Sequence, residues 1–266
     1  MSYRVVPIPA LNDNYVWCLY DTERKTALVV DPGEAEPVEN FLAEQGLALD
    51  TVLVTHHHPD HTNGIRSLEA QYSFPVYGPA DSPCKAITHP LNENDQLQWH
   101  DVEFSVLAVP GHTLDHIAFN SDSPALDDPL SFCGDALFAC GCGRLFEGTP
   151  EQMRDSLAKL RTLPEDTLVC CGHEYTLANV AFARAVCPDE SVLRDFEIQC
   201  RNQRDAGQPT LPTRMAQELR LNPFLRWDDE NVAEAAAQHG RRAGLSVDRT
   251  NADHVFAALR HWKDHF

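Results

Sequence analysis

Over the first 172 residues, apolar positions come in short runs and alternations broken by turn residues. Val102, Phe104, Val106 and Ala108 recur at every second position, the pattern of a strand with one buried face. Similar runs predict strands over 15–20, 26–30, 51–55, 102–109, 116–120, 130–133 and 167–171. The stretch 37–47 reads as a helix with Pro37 in its first turn, and 151–163 sets Met153, Leu157 and Leu160 on one helical face. Strands and helices mixed in this way predict sheet layers covered by helices.

After Gly172 the strands are expected to stop. Helical patterns run over 176–185, 190–206, 213–221, 231–239 and 252–262, punctuated by Gly207, Pro209, Pro212, Pro223 and Gly240. The change of pattern predicts two domains, 1–174 mixed and 175–266 all-helical, each within the usual size range.

Composition narrows the partners. No apolar run approaches the ~20 residues of a membrane-spanning helix, and residues 1–7 lack the apolar core of a secretory signal, so a cytoplasmic location is expected. Forty acidic residues against 21 basic ones give a formal charge of -19, which disfavours nucleic acid and anionic membranes as partners. An anionic ligand would therefore need a local basic patch. The nine cysteines are an odd number without a CxxC pair, which predicts buried thiols in a reducing compartment rather than disulfides or a zinc ribbon.

The strongest chemical signal follows the apolar run 51–54: His56, His57, His58, Pro59, Asp60, His61. In an extended segment His56 and His58 point the same way, while Asp60 and His61 reach a neighbouring position as the chain turns. That spacing suits two metals. Three further places repeat one construction, an apolar run, then Gly, then a ligand-type side chain: Gly111-His112, Gly134-Asp135 and Gly172-His173. No G-x-S-x-G elbow competes with a metal reading.

With these motifs, and with the stretches 141–149 (GCGRLFEGT), 171–176 (CGHEYT) and 259–266 (LRHWKDHF), the chain resembles the metallo-β-lactamase superfamily and, within it, the glyoxalase II (hydroxyacylglutathione hydrolase) family. The resemblance implies an α/β (αββα) sandwich with an additional C-terminal all-helical, substrate-binding domain. It implies two divalent metal ions, with His56, His58 and His112 on one, Asp60, His61 and His173 on the other, and Asp135 bridging. Zn is expected, and Fe or Mn suit the same ligands. Asp60 would also orient a metal-bound hydroxide. The implied substrate is a glutathione thioester, S-(2-hydroxyacyl)glutathione and typically S-D-lactoylglutathione, cleaved by a monomer to glutathione and D-lactate in methylglyoxal degradation.

The resemblance places Arg144, Phe146, Tyr175, Arg260 and Lys263 at the substrate. Some family members carry Lys where Arg144 stands and Tyr where Phe146 stands. Asp115 replaces a frequent Gly, adding negative charge near a ligand. The alternatives are another hydrolase of this fold, for a lactone, lactam or phosphodiester, and a non-catalytic binding module. His57, His89, His100, His116, His239, His254, His261 and His265 fit no ligand position and are expected to be ordinary surface or core residues.

Overall fold

Successive apolar residues on a strand face opposite ways, so a sheet with two apolar faces must be covered twice. A computed structural model describing residues 2–266 shows how the chain meets that demand. The first sheet contains β1 (Tyr3–Ala10), β2 (Asn14–Asp21), β3 (Thr26–Val30), β4 (Ala48–Leu53), β5 (Val76–Pro79) and β6 (His89–Leu91), in that spatial order. β1 to β3 form an antiparallel meander, and β3 to β6 are parallel. On β2, Trp17 and Leu19 belong to the central core, while Val16 and Cys18 belong to a separate outer cluster. β3 divides in the same way, Leu28 and Val30 inward and Ala27 and Val29 outward.

The second sheet is built from β7 (Gln96–Trp99), β8 (Val102–Ala108), β9 (Ile117–Ser121) and β10 (Leu130–Gly134). A short hairpin of β11 (Leu137–Phe138) and β12 (Gly141–Cys142) follows, and then β13 (Leu168–Cys171). Its inward residues, among them Phe104, Val106, Phe119 and Phe132, meet Trp17, Leu28 and Leu53 of the first sheet. α1 (Glu36–Gln45) covers the outer face of the first sheet with Val38 and Leu42, and past the short α2 (Pro59–Thr62), α3 (Ile65–Glu69) adds Ile65 and Leu68. α4 (Pro150–Leu160) is capped by Thr149 and Gln152, whose side chains each accept from the other's backbone N–H. It buries Met153, Leu157 and Leu160, the residues its periodicity sets on one face. The result is the expected αββα sandwich. All nine cysteines are free among the described residues, and eight are buried.

From Thr176 onward the chain is mostly helical: α5 (Thr176–Val186), α6 (Ser191–Asp205), α7 (Met215–Leu221), α8 (Glu230–Ala243) and α9 (Ala252–Asp264). The strands do not stop at residue 172, however. Thr213 and Arg214, expected to open a helix, instead form β14, paired antiparallel with Val169 and Leu168 at the edge of the second sheet. An open strand edge leaves backbone groups unpaired, and satisfying them here outweighs one turn of helix.

Behind that strand lies Glu218, fully buried on α7. Its carboxylate accepts from Cys140 N–H (2.7 Å), Thr213 Oγ1 (2.9 Å) and Asn222 Nδ2 (3.1 Å), tying α7 to the turn of the β11–β12 hairpin. Burial pushes its pKa up to about 7 against those bonds, which pull it down. The folded protein then keeps a proton that the unfolded chain releases near 4.5, so stability falls as pH rises from about 4.5 to 7. Glu218→Gln, which cannot ionise, should gain on the wild type through that window by on the order of 3 kcal/mol and level off above it. Urea unfolding at several pH values tests this. A difference that stays flat with pH would mean that Glu218 is ionised throughout.

Candidate metal centre

The strand ends of both sheets meet at one edge of the sandwich, and the side chains just beyond them converge there. Past β4 the chain bends at Thr55 and His56, His58 follows with extended backbone, and Pro59 opens α2, which carries Asp60 and His61. Gly134 ends β10 in the left-handed region (φ 47°), ahead of Asp135. A Cβ on Gly172 would lie 2.5 Å from Asp135 Oδ1 and 2.7 Å from His61, so only glycine lets β13 deliver His173.

The ligating atoms of His56, His58 and His112 lie within 4.8 Å of one another, as do those of Asp60, His61 and His173. Asp135 stands between the two trios, with Oδ2 3.4 Å from His112 Nε2 and 3.3 Å from His173 Nε2, and Oδ1 3.4 Å from His61 Nε2. The structure thus brings all seven expected residues together. His56 Nε2, His61 Nε2 and Asp135 Oδ1 are buried without a hydrogen-bond partner. Each such atom costs about 1–3 kcal/mol, and several aimed at one place ask for a shared occupant. Imidazole nitrogens and carboxylate oxygens are donors for divalent ions, and the site fits them.

The other ring nitrogens are held from behind. His61 Nδ1 donates to Asp31 (3.1 Å), His173 Nδ1 to Asp13 (2.9 Å) and His112 Nδ1 to Arg144 O (2.8 Å), which leaves each Nε2 facing the centre. Asn14 Nδ2 donates to Asp60 Oδ2 (3.0 Å). Burial opposes charge on His173, yet Asp135 and Asp60 outweigh it and lift its pKa to about 10. Burial likewise opposes charge on Asp135, and His61 and His173 outweigh it and hold the carboxyl well below the usual range.

Sequence reasoning missed Asp13, Asp31 and His116. Asp31 did carry a signal, since it closes the apolar run 26–30 much as Asp135 follows 130–133. His116 is a satisfied core histidine as expected, packed against the centre: its ring stacks on His56 (4.6 Å between centroids), and its Nε2 accepts the backbone N–H of Asp135 (3.0 Å). Burial drops its pKa to about 3, which keeps it a neutral acceptor. The charge of Asp115 is taken up by His57 Nδ1 (2.9 Å) and by Thr113 Oγ1 (2.7 Å).

A cavity of about 480 Å³ opens beside the centre, and all five expected substrate residues line it. Phe146, 62% exposed, stands edge-on to His58 and His112, and Tyr175 stacks on His173 at 4.7 Å. Arg260 is only 5% exposed and donates to Cys142 O (3.0 Å), whereas the Arg144 side chain is exposed. Lys263 Nζ donates to Ala178 O (3.0 Å), and burial lowers its pKa to about 8.

Fold and centre together define a metal-dependent hydrolase of the metallo-β-lactamase class. Residues 13–173 match the family described as the metallo-beta-lactamase superfamily, and residues 174–266 match "Hydroxyacylglutathione hydrolase C-terminus". The solved structure of ETHE1 from Myxococcus xanthus is similar at a TM-score of 0.63 and 25% identity, covering 99% of this chain and 98% of that one. Hydroxyacylglutathione hydrolases of Alkalilimnicola ehrlichii (51% identical, 98% of each chain) and Chromohalobacter salexigens (49% identical, 98% of this chain and 99% of that one) are similar from end to end. The chain belongs to the hydroxyacylglutathione hydrolase family.

Replacing Asp31 with Asn keeps a residue that tolerates its left-handed backbone (φ 55°) but removes the charge behind His61. Metal affinity should fall about 10- to 100-fold with the fold intact, as chelator competition and circular dichroism would show. Unchanged affinity would free Asp31 from this role.

Proposed function

We propose that the chain hydrolyses S-(2-hydroxyacyl)glutathione, chiefly S-D-lactoylglutathione, to glutathione and D-lactate, a step of methylglyoxal degradation, as a cytoplasmic monomer. Two divalent ions, Zn in this reading, would be held by His56, His58 and His112 on one side and by Asp60, His61 and His173 on the other, with Asp135 within reach of both sets. The observation that carries the proposal is the opening of one cavity onto both this paired centre and the basic side chains Arg144 and Lys263. Residues 1–174 supply the centre, and 175–266 form a helical domain that helps hold the glutathione half.

When bound, the metal ions lower the pKa of water toward ~7 and polarise the thioester carbonyl. The protein's own part is positioning. Asp60, fixed by Asn14, accepts a hydrogen bond from the attacking water and aims it at the carbonyl carbon. The water gives up one proton to solvent and adds as hydroxide, the C–S bond breaks, and the glutathione sulfur leaves as a thiolate, which at a thiol pKa of about 8.5 needs no general acid; the carboxylic acid formed then loses its proton to give D-lactate. Accordingly no nucleophilic Ser or Cys is required; burial pushes the thiol of Cys142, which lines the cavity, above its ordinary range. Arg144 and Lys263 draw the peptide carboxylates, Tyr175 covers His173, and Phe146 offers an apolar wall to the acyl group.

Metal-replete protein should hydrolyse S-D-lactoylglutathione, read as loss of thioester absorbance, and prefer it to lactones, lactams and phosphodiesters by orders of magnitude. No thioester turnover would overturn the reading. In addition, the KM for the thioester should rise above pH about 8 as Lys263 loses its proton, while kcat changes less. Lys263→Arg should move that limb upward, and a limb that stays in place would remove Lys263 from substrate binding.

A further inference from the structure

Asp264, the last residue of α9, has no part in the scheme above, yet it sits among the cavity's cations. Its Oδ1 lies 2.9 Å from Arg260 Nη2 and 3.4 Å from Arg144 Nε. The two arginines are held very differently. Arg260 is buried, donates to the backbone oxygen of Cys142, and lies 5.1 Å over the Phe224 ring, so it is a fixed brace that anchors Asp264. Arg144 is on the wall of the cavity with its side chain 60% exposed, and among the described residues it forms its ion pair with Asp264. A carboxylate carried by the protein thus pairs with the Nε side of Arg144, on the cavity wall where a carboxylate of the ligand would compete for the same guanidinium.

We propose that Asp264 is an internal competitor for Arg144: it holds the guanidinium when no ligand is present and is exchanged for a carboxylate of the incoming glutathione thioester. The inference rests on the reading of this cavity as a glutathione site. Since one ion pair is traded for another, the net gain on binding is small. The same exchange weakens the hold on released glutathione, because the product keeps both carboxylates. Asp264 therefore tunes ground-state binding of substrate and product together and leaves the reacting carbonyl untouched, which is the pattern of uniform binding. In a chain of charge -19, it also keeps the exposed Arg144 from being a general anion trap.

The test compares wild type, Asp264→Asn, Arg144→Gln and the double variant as metal-replete full chains. The readings are KM and kcat for S-D-lactoylglutathione and the inhibition constant of glutathione, at low salt and in 0.5 M KCl (about that concentration suffices to screen exposed charge). Asp264→Asn should lower both KM and the glutathione inhibition constant about two- to five-fold at low salt, the worth of a partly exposed ion pair, with a smaller change in kcat. The gain should shrink in salt and vanish in the Arg144→Gln background. Asp264→Ser should reproduce it, which guards against an effect peculiar to the amide. An unchanged or raised KM overturns the proposal, as does a gain that persists without Arg144, since either would make Asp264 only a support for Arg260. Absence of thioester turnover in the wild type would instead defeat the reading of the site itself.

Discussion

The carboxylate of Asp135 is buried between two groups of histidines, and the rest of the molecule is arranged around that fact. A buried carboxylate is expensive unless its oxygens are satisfied, and this one lies 3.3–3.4 Å from His61, His112 and His173, which are also metal donors, while its Oδ1 is left without a hydrogen-bond partner. Holding so many polar atoms at one point needs rigid supports. The strand ends provide them, Gly134 and Gly172 allow the close approach, and Asp13, Asp31, Thr55 and the Arg144 carbonyl fix the rings from behind. His116 completes the cage by stacking on His56 and accepting the Asp135 backbone N–H.

The helical segment acts at one remove. Its helices do not supply the side chains that converge at the centre; they wall the cavity and fasten the hairpin that bears Phe138 and Cys142. Glu218 and Asn222 do this with buried hydrogen bonds to the backbone of residues 138–141, and Arg260 does it at the carbonyl of Cys142. The overall charge of -19 is a poor guide to the ligand, because charges beyond ~8 Å are screened at physiological salt and the few cations that matter stand at the cavity.

Much of this was legible in the residues. The stretch 27–30 is continuously apolar because it is buried on both faces, and Met153, Leu157 and Leu160 announce a helix face by spacing alone. The seven side chains at the centre were legible because each sits just past a strand in a stereotyped local setting. What escaped depends on distant partners. Thr213 and Arg214 form a strand only because β13 has an open edge; nothing local marks two such residues. The role of His116 lies in a bond to a backbone N–H 19 positions away, and that of Asp13 in a ring 160 positions away. Arg260 and Lys263 look alike on one helix face, yet contacts with residues 142 and 178 make one a buried brace and the other a titratable donor.

The central claim is that one buried carboxylate serves two metal sites. Anomalous diffraction from crystals of the metal-loaded protein, collected at the edge of the bound metal, tests it most directly. The account predicts two peaks, one beside His56, His58 and His112 and one beside Asp60, His61 and His173, with Asp135 reaching both. A single peak, or a second peak away from Asp135, would contradict it.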